Sequence, residues 1–271
     1  MSERPLRVTI CGAAGRMGRT LVEMALADSG ISLGGAIEAP GNALLGADAG
    51  ALAGCGASGV TLECEIEPAL AASDVVIDFT RPLPTLEHAA ACAVAGIPIV
   101  IGTTGFDAAQ RRALDATAAR IPMVLAPNMS VGVNLCFKLV ETATRVLGEA
   151  VDIEIIEAHH RHKVDAPSGT AVRLGEIAAA ARGQPLADCA VYAREGHTGP
   201  RPAGAIGFAT VRAGDIVGEH TVMYAGEGER VEITHRAASR ANFANGAFRA
   251  ARWVLGRAPG RYDMQDVLGL G

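Results

Sequence analysis

Through the first half of the chain, short runs of aliphatic and β-branched residues alternate with alanine-rich stretches whose apolar positions recur at helical spacing. Leu6–Cys11 (LRVTIC) predicts a strand, Gly15–Ala27 a helix and Ile31–Glu38 a second strand. Val75–Phe79, Ile99–Ile101 and Met123–Ala126 predict three more strands, separated by helices at Thr85–Ala95 and Asp107–Ala119. Strands that alternate with helices in this way predict a parallel, doubly wound α/β sheet covered on both faces. Residues 42–59, rich in Gly and Ala, are expected to form a mobile loop.

The rhythm changes after Pro127-Asn128-Met129-Ser130. A long helix at Val133–Leu147 leads to a strand at Asp152–Ala158 and, beyond a polar tract, to a helix at Thr170–Ala181. Three strand patterns then crowd together at Ala205–Val211, Gly218–Tyr224 and Arg230–Ala237, joined by glycine-containing turns. Close spacing of this kind predicts a second, α+β domain with a mixed or antiparallel sheet. A final helix is expected at Asn242–Leu255.

Composition narrows the classes. A chain of 271 residues suffices for one large or two modest domains. It is 49% hydrophobic but only 4% aromatic, so Ala, Val, Ile and Leu must build the core. A net charge of −5 gives no electrostatic case for nucleic-acid binding. The six cysteines lie far apart, with no Cys-x-x-Cys pair, which suits a reducing compartment rather than a disulfide framework. The N-terminus has no signal-like apolar region and no stretch is long and apolar enough to span a bilayer, so a cytoplasmic location and no membrane partner are expected.

The turn after the first strand carries Gly12, Gly15 and Gly18, a G-x-x-G-x-x-G spacing rather than the strict dinucleotide fingerprint. The mechanics are the same: a tight turn lets the backbone approach a pyrophosphate, and a helix N-terminus offers it unpaired N–H groups. Glu38 closes the second strand about 20 residues later, where an acid should bind the adenosine ribose. No Gly-Lys-Ser/Thr follows, which disfavours a P-loop. Arg16 and Arg81 are candidates for a 2′-phosphate, with ordinary solvated arginines as the plain alternative. Asp78–Pro82, Gly102-Thr103-Thr104 and Ala126-Pro127-Asn128-Met129 follow later strands, at the carboxyl edge where such sheets bind ligands.

The polar tract concentrates His159, His160, His162 and Lys163, and runs through Asp165 into Pro167-Ser168-Gly169-Thr170. Neighbouring histidines on an extended segment point in opposite directions and cannot readily share one ion, so no metal is expected. A solvated polar loop is the plain alternative. Against it, histidine and lysine both deliver protons near neutrality, and the helix start at Ser168, Gly169 and Thr170 offers N–H groups to a carboxylate. Together with Lys163 this predicts a small dicarboxylate substrate. Asp165 is expected to cap the helix, with the orienting of a proton donor as the alternative.

These segments resemble the 4-hydroxy-tetrahydrodipicolinate (dihydrodipicolinate) reductase family over essentially the whole chain. The likeness rests on Gly12–Gly18 (GAAGRMG), Asp78–Thr80, Gly102–Phe106 (GTTGF), Asn128–Asn134 (NMSVGVN) and, most specifically, Glu157–Thr170 (EAHHRHKVDAPSGT). The resemblance implies a Rossmann-like dinucleotide domain over residues 1–129, a substrate-binding and oligomerisation domain over 130–240, and a segment 241–271 returning to the first. It implies an oxidoreductase of lysine and diaminopimelate biosynthesis, assembled as a homotetramer, that transfers a hydride from NADH or NADPH to the cyclic imine substrate. It assigns proton transfer to His159 and Lys163, and substrate carboxylates to His160, Gly169 and Thr170. Cofactor contacts carry over to Gly12, Ala13, Ala14, Gly15, Arg16, Met17, Glu38, Gly102, Thr103, Thr104, Ala126, Pro127, Asn128 and Met129. One departure matters: many members have an arginine directly after the ribose-binding acid, where this chain has Ala39. Use of both cofactors is therefore expected. Rival readings are a dehydrogenase for another imine or amino acid and a nucleotide sensor without catalysis.

Overall fold

The computed structural model describes residues 4–270; the N-terminal expectation, and the outermost ends of the expected domains, fall partly outside the described residues. The chain divides into two compact units, residues 1–131 with 240–271, and residues 132–239.

The first unit begins with β1 (Leu6–Cys11), α1 (Arg16–Ala27), β2 (Ile31–Ile37), α2 (Ala49–Ala53), β3 (Leu62–Glu63) and α3 (Glu67–Leu70). It continues with β4 (Val75–Asp78), α4 (Pro82–Ala95), β5 (Ile99–Ile101), α5 (Ala108–Ala118) and β6 (Pro122–Leu125). The chain then forms α6 (Val131–Leu147), β7 (Asp152–His159), α7 (Gly169–Ala181), α8 (Leu186–Cys189), β8 (Ala190–Val191), β9 (Ile206–Arg212), β10 (Gly218–Ala225) and β11 (Arg230–Ala237). It ends, back in the first unit, with α9 (Ala241–Val254), β12 (Gly260–Tyr262) and α10 (Met264–Leu268).

The first sheet has the order β12-β6-β5-β4-β1-β2-β3, and every pairing in it is parallel. This is the doubly wound Rossmann-like arrangement, with the strand order reversing between β1 and β4. Both faces are buried, which explains why its strands read as continuous aliphatic runs. Val8, Ile10, Val75, Ile77 and Val100 pack with α1 and α9 on one face. Val76, Ile99, Ile101 and Met123 pack with Leu114 and Ala118 of α5 and Ala89 of α4 on the other. At Gly246 in α9 a Cβ would overlap the Met129 carbonyl oxygen, so only glycine lets this helix lie so close to the chain leaving β6.

The expected mobile loop at 42–59 is instead organised by Asp48. Its carboxylate caps α2 at Ala51 N–H and accepts from the N–H groups of Ser58 and Gly59 at 2.7–3.0 Å. These bonds outweigh burial and hold the Asp48 pKa at about 2. Helix α4 starts three residues before the expected Thr85, because Pro82 sits in its first turn, where the missing N–H has no partner to lose.

The second unit is built on a mixed sheet, β11-β10-β7-β9-β8, with antiparallel pairings at β11–β10 and β10–β7 and parallel ones at β7–β9 and β9–β8. Ile153, Ile155, Ile206, Phe208, Val222 and Tyr224 line its inner face against Phe137 and Val140 of α6 and Leu174 and Ala178 of α7. The outer face carries half-buried Ile156, Ala158 and Met223 beside exposed Ala209 and Val211. Among the described residues no helix is long and apolar enough to cross a membrane.

Candidate functional site

Strand register sets up the first group of candidate residues. Ile37 pairs with Cys11, Cys11 with Asp78, Asp78 with Ile101 and Ile101 with Leu125, so five strands end on one level. The loops leaving this row hold Gly12–Met17, Glu38, Arg81, Gly102–Thr104 and Ala126–Met129, which the structure therefore brings to one edge of the sheet.

Gly12 takes a left-handed conformation (φ 78°), and its N–H and that of Ala13 both donate to the Ile37 carbonyl. Helix α1 starts at Gly15 with no side-chain cap and no acid in its first turn, so its N–H groups and positive dipole end are available to an anion. A Cβ on Gly18 would overlap the Gly12 carbonyl; glycine there lets the helix approach the turn. Glu38 is pinned, with one oxygen accepting from Ala14 N–H and the other from Ala39 N–H, both at 3.0 Å. Arg16 and Arg81 are exposed and face solvent. These features fit a dinucleotide: bare backbone donors for phosphate and a fixed carboxylate for a ribose diol.

Beneath the neighbouring loops lies a hydrogen-bonded node that the sequence did not reveal. Asp78 is fully buried, and its Oδ1 accepts from Thr80 N–H, Thr80 Oγ1, Thr85 Oγ1 and Thr103 Oγ1 at 2.7–3.1 Å. Its Oδ2 lies 2.7 Å from His88 Nδ1. Thr103 thus turns its hydroxyl inward and has only backbone atoms to offer a cofactor, whereas Thr104 is exposed. Cys11, Asp78 and His88 place ligand-type atoms within 4.8 Å of one another. The donors converging on both Asp78 oxygens account for that cluster by hydrogen bonding, and burial raises the Cys11 thiol well above the usual range.

The second group lies at the end of β7. Alternation puts Ile153, Ile155, Glu157 and His159 on one buried face, so an apolar stripe turns polar at its last two positions. Glu157 is 1% exposed. Its Oε2 meets His159 Nδ1 at 2.5 Å and accepts from Arg212 Nη1 at 2.9 Å. Its Oε1 accepts from Arg212 Nη2 at 2.8 Å and from Ser168 N–H at 3.0 Å. Burial pushes the Glu157 pKa up, but Arg212, His159 and the Ser168 N–H outweigh it and hold the carboxyl below its usual range. For His159, burial is the main cause of a lowered pKa; Glu157 opposes it, while Lys163 and Arg212 add to it. His220 packs edge-on against His159 at 5.1 Å and is held neutral down to about pH 3, chiefly by burial.

The tract itself is tied to the end of β9: Ala213 N–H donates to His159 O, Arg161 N–H to Gly214 O, and Arg212 Nη2 to Asp165 O. Lys163 points its ammonium at Asp165 at 2.8 Å, so Asp165 pairs with the lysine instead of capping the helix. Ser168 is the N-cap of α7, accepting from Ala171 N–H. The Ser168 N–H is not free as expected: it donates to Glu157, while the hydroxyl of this buried residue faces His220 at 3.0 Å. Gly169 is exposed and Thr170 half-buried at the helix start, and His160 lies beside His162 with ring centroids 6.2 Å apart. Glu157 and Arg212 were not among the expected site residues. The period of two along β7 could have found Glu157, but nothing local points to Arg212, 55 residues away.

Comparison with known proteins fits this arrangement. Descriptions of the dihydrodipicolinate reductase N-terminus and C-terminus match residues 6–129 and 132–268. A 4-hydroxy-tetrahydrodipicolinate reductase of Thiobacillus denitrificans is 60% identical over 98% of this chain and 99% of its own length. One from Alkalilimnicola ehrlichii is 61% identical over 97% and 99%. In fold, the chain is similar to a dipicolinate-bound dihydrodipicolinate reductase from Paenisporosarcina sp. TG-14, with a TM-score of 0.75 and 24% identity over 97% of this chain and 98% of that one. The chain belongs to the dihydrodipicolinate reductase family.

Proposed function

We propose that this chain reduces 4-hydroxy-2,3,4,5-tetrahydrodipicolinate to 2,3,4,5-tetrahydrodipicolinate, a step of lysine and diaminopimelate biosynthesis, with either NADH or NADPH. The observation that carries the reading is the 157–170 tract, where a hydrogen-bonded histidine, a lysine and a helix start meet within a few residues. The nicotinamide, when bound, supplies the hydride that replaces the 4-hydroxyl. The first unit holds it: α1 N–H groups and Gly12–Met17 take the pyrophosphate, Glu38 the adenosine ribose, and Gly102–Thr104 with Ala126–Met129 the nicotinamide end.

The second unit holds the dicarboxylate. Lys163, His160 and the helix start at Gly169 and Thr170 bind its carboxylates. The hydroxyl that leaves must depart as water and needs one proton. Lys163, from its ammonium, and His159, from Nε2 once that nitrogen has taken up a proton, are the groups that would deliver it. Ala39 and Pro40, both exposed, put no cation beside Glu38, which supports use of NADH alongside NADPH. The outer face of the second sheet, with Ile156, Ala158, Ala209, Val211 and Met223, supports assembly of a homotetramer, and native mass spectrometry tests it. A cytoplasmic location suits a biosynthetic enzyme of this kind.

The deciding assay follows loss of reduced-nicotinamide absorbance, with substrate generated in situ by the preceding synthase. His159→Gln and Lys163→Ala should each lower turnover by about 10²-fold or more while dinucleotide still binds. Near-normal rates in both would overturn the reading.

A further inference from the structure

We propose that Glu157 is the positioning residue of this site: clamped by Arg212 and the Ser168 N–H, it fixes neutral His159 with its proton on Nδ1 and its lone pair on Nε2. The proposal deepens the reading of His159 as a proton carrier and rests on it.

The four hydrogen bonds at the Glu157 carboxylate decide the tautomer. The Arg212 guanidinium and the Ser168 amide can only donate, and together they occupy both carboxylate oxygens. An ionised carboxylate has no proton to give, so at 2.5 Å the His159 Nδ1 must be the donor. The clamp cannot swing away, because Arg212 is itself held by the carbonyls of Val211 and Asp165. Nε2 is left without a partner among the described residues. Its edge of the ring faces Gly218, where a Cβ would come within 3.1 Å of Nε2 and 3.4 Å of Cδ2. Glycine at that position keeps the working nitrogen uncrowded. The only proton His159 gains or loses is then the one on Nε2, and the proton on Nδ1 stays in place. The charged and titratable groups facing the ring are Glu157 on β7, Arg212 on β9, His220 on β10 and Lys163 on the tract.

Glu157→Gln tests this, because the amide must put its NH2 somewhere. At the Oε1 position it would face two donors, Arg212 Nη2 and the Ser168 N–H. At the Oε2 position it meets only one, Arg212 Nη1, and donates to His159 Nδ1. The second choice is better, and it forces the neutral ring to carry its proton on Nε2. A wrong tautomer in a hydrogen-bonded histidine site is very damaging to turnover.

The experiment reads histidine ring nitrogens by 15N NMR in the full-length protein, with His159 assigned by its absence in His159→Gln, alongside steady-state kinetics. The unsubstituted protein should show neutral His159 protonated on Nδ1. Glu157→Gln should show it protonated on Nε2, with kcat lowered by about 100-fold or more, KM for the dinucleotide unchanged, and the alkaline limb of kcat moved to lower pH. Neutral His159 protonated on Nε2 in the unsubstituted protein overturns the positioning role without any variant having to fold. So does a Glu157→Gln enzyme within about threefold of wild-type kcat. Near-normal turnover of His159→Gln overturns instead the proton-carrier reading beneath it, whatever the spectra show.

Discussion

Removing the Asp78 carboxylate should destabilise the first unit more than neutralising it. Five donors converge on this buried side chain, but they are not equally dependent on it. The threonine hydroxyls can re-pair, since Thr85 Oγ1 already lies 3.0 Å from Thr80 Oγ1 and 2.9 Å from Thr103 Oγ1. The Thr80 N–H keeps a second acceptor in Thr103 Oγ1 at 3.1 Å, so the donor that loses most in Asp78→Ala is the His88 ring. At about 1–3 kcal/mol for a buried donor left unpaired, the loss is roughly 1–3 kcal/mol. In Asp78→Asn the amide oxygen can keep the four bonds at the Oδ1 position. The new NH2 then faces His88 Nδ1, and histidine answers by moving its proton to Nε2. That substitution should cost about 1 kcal/mol or less. Urea unfolding followed by circular dichroism gives both values, and calorimetric titration gives dinucleotide affinity. Affinity should fall in Asp78→Ala, because Thr80 and Thr103 anchor two loops of the cofactor edge. Equal stabilities for the Ala and Asn variants would refute the reasoning, as would an Ala variant indistinguishable from wild type.

Gly246→Ala should destabilise the first unit by about 1–3 kcal/mol in the same unfolding assay, because backbone rather than a flexible side chain blocks the added methyl; unchanged stability would contradict the packing described. Stability should fall as pH drops from about 6.5, the ordinary histidine value, toward 4.5. His220 stays neutral in the folded protein to about 3 whereas the unfolded chain takes up a proton, so its contribution is present above 6.5 and is lost as pH falls. One proton corresponds to about 1.4 kcal/mol per pH unit, and His220→Gln should give a shallower slope in that window. Ala39→Arg should raise kcat/KM for NADPH relative to NADH by roughly tenfold, the worth of one charge-assisted bond of about 1.5 kcal/mol; no change would mean that residue 39 lies away from the 2′-phosphate.

The sequence exposed what local chemistry dictates. Strands such as Val75–Asp78 and Ile99–Ile101 are buried on both faces and therefore read as unbroken aliphatic runs. The Gly12–Gly18 turn and the 157–170 tract carry residue types that packing alone does not call for. What stayed hidden depends on partners distant in the chain. Strands β3 and β12 have two and three residues, too few for any period to show. Arg212 reaches Glu157 only because β7 and β9 run parallel with His159 opposite Arg212, a register no local pattern encodes. Ser168 misled for the same reason: as a helix cap its N–H looked free for a ligand, and Glu157, eleven residues earlier, takes it.

The level row at which β1, β2, β4, β5 and β6 end has a consequence for how such an enzyme can diverge. Each loop at this edge hangs from a strand whose side chains are locked on two faces, while residues such as Ala39, Arg81 and Thr104 stand outside that packing and are exposed. With the coenzyme held by these loops as proposed, a lineage can exchange one loop residue and alter its coenzyme economy without renegotiating the interior. Fitness with respect to redox supply and fitness with respect to folding become nearly separable traits, open to selection one at a time.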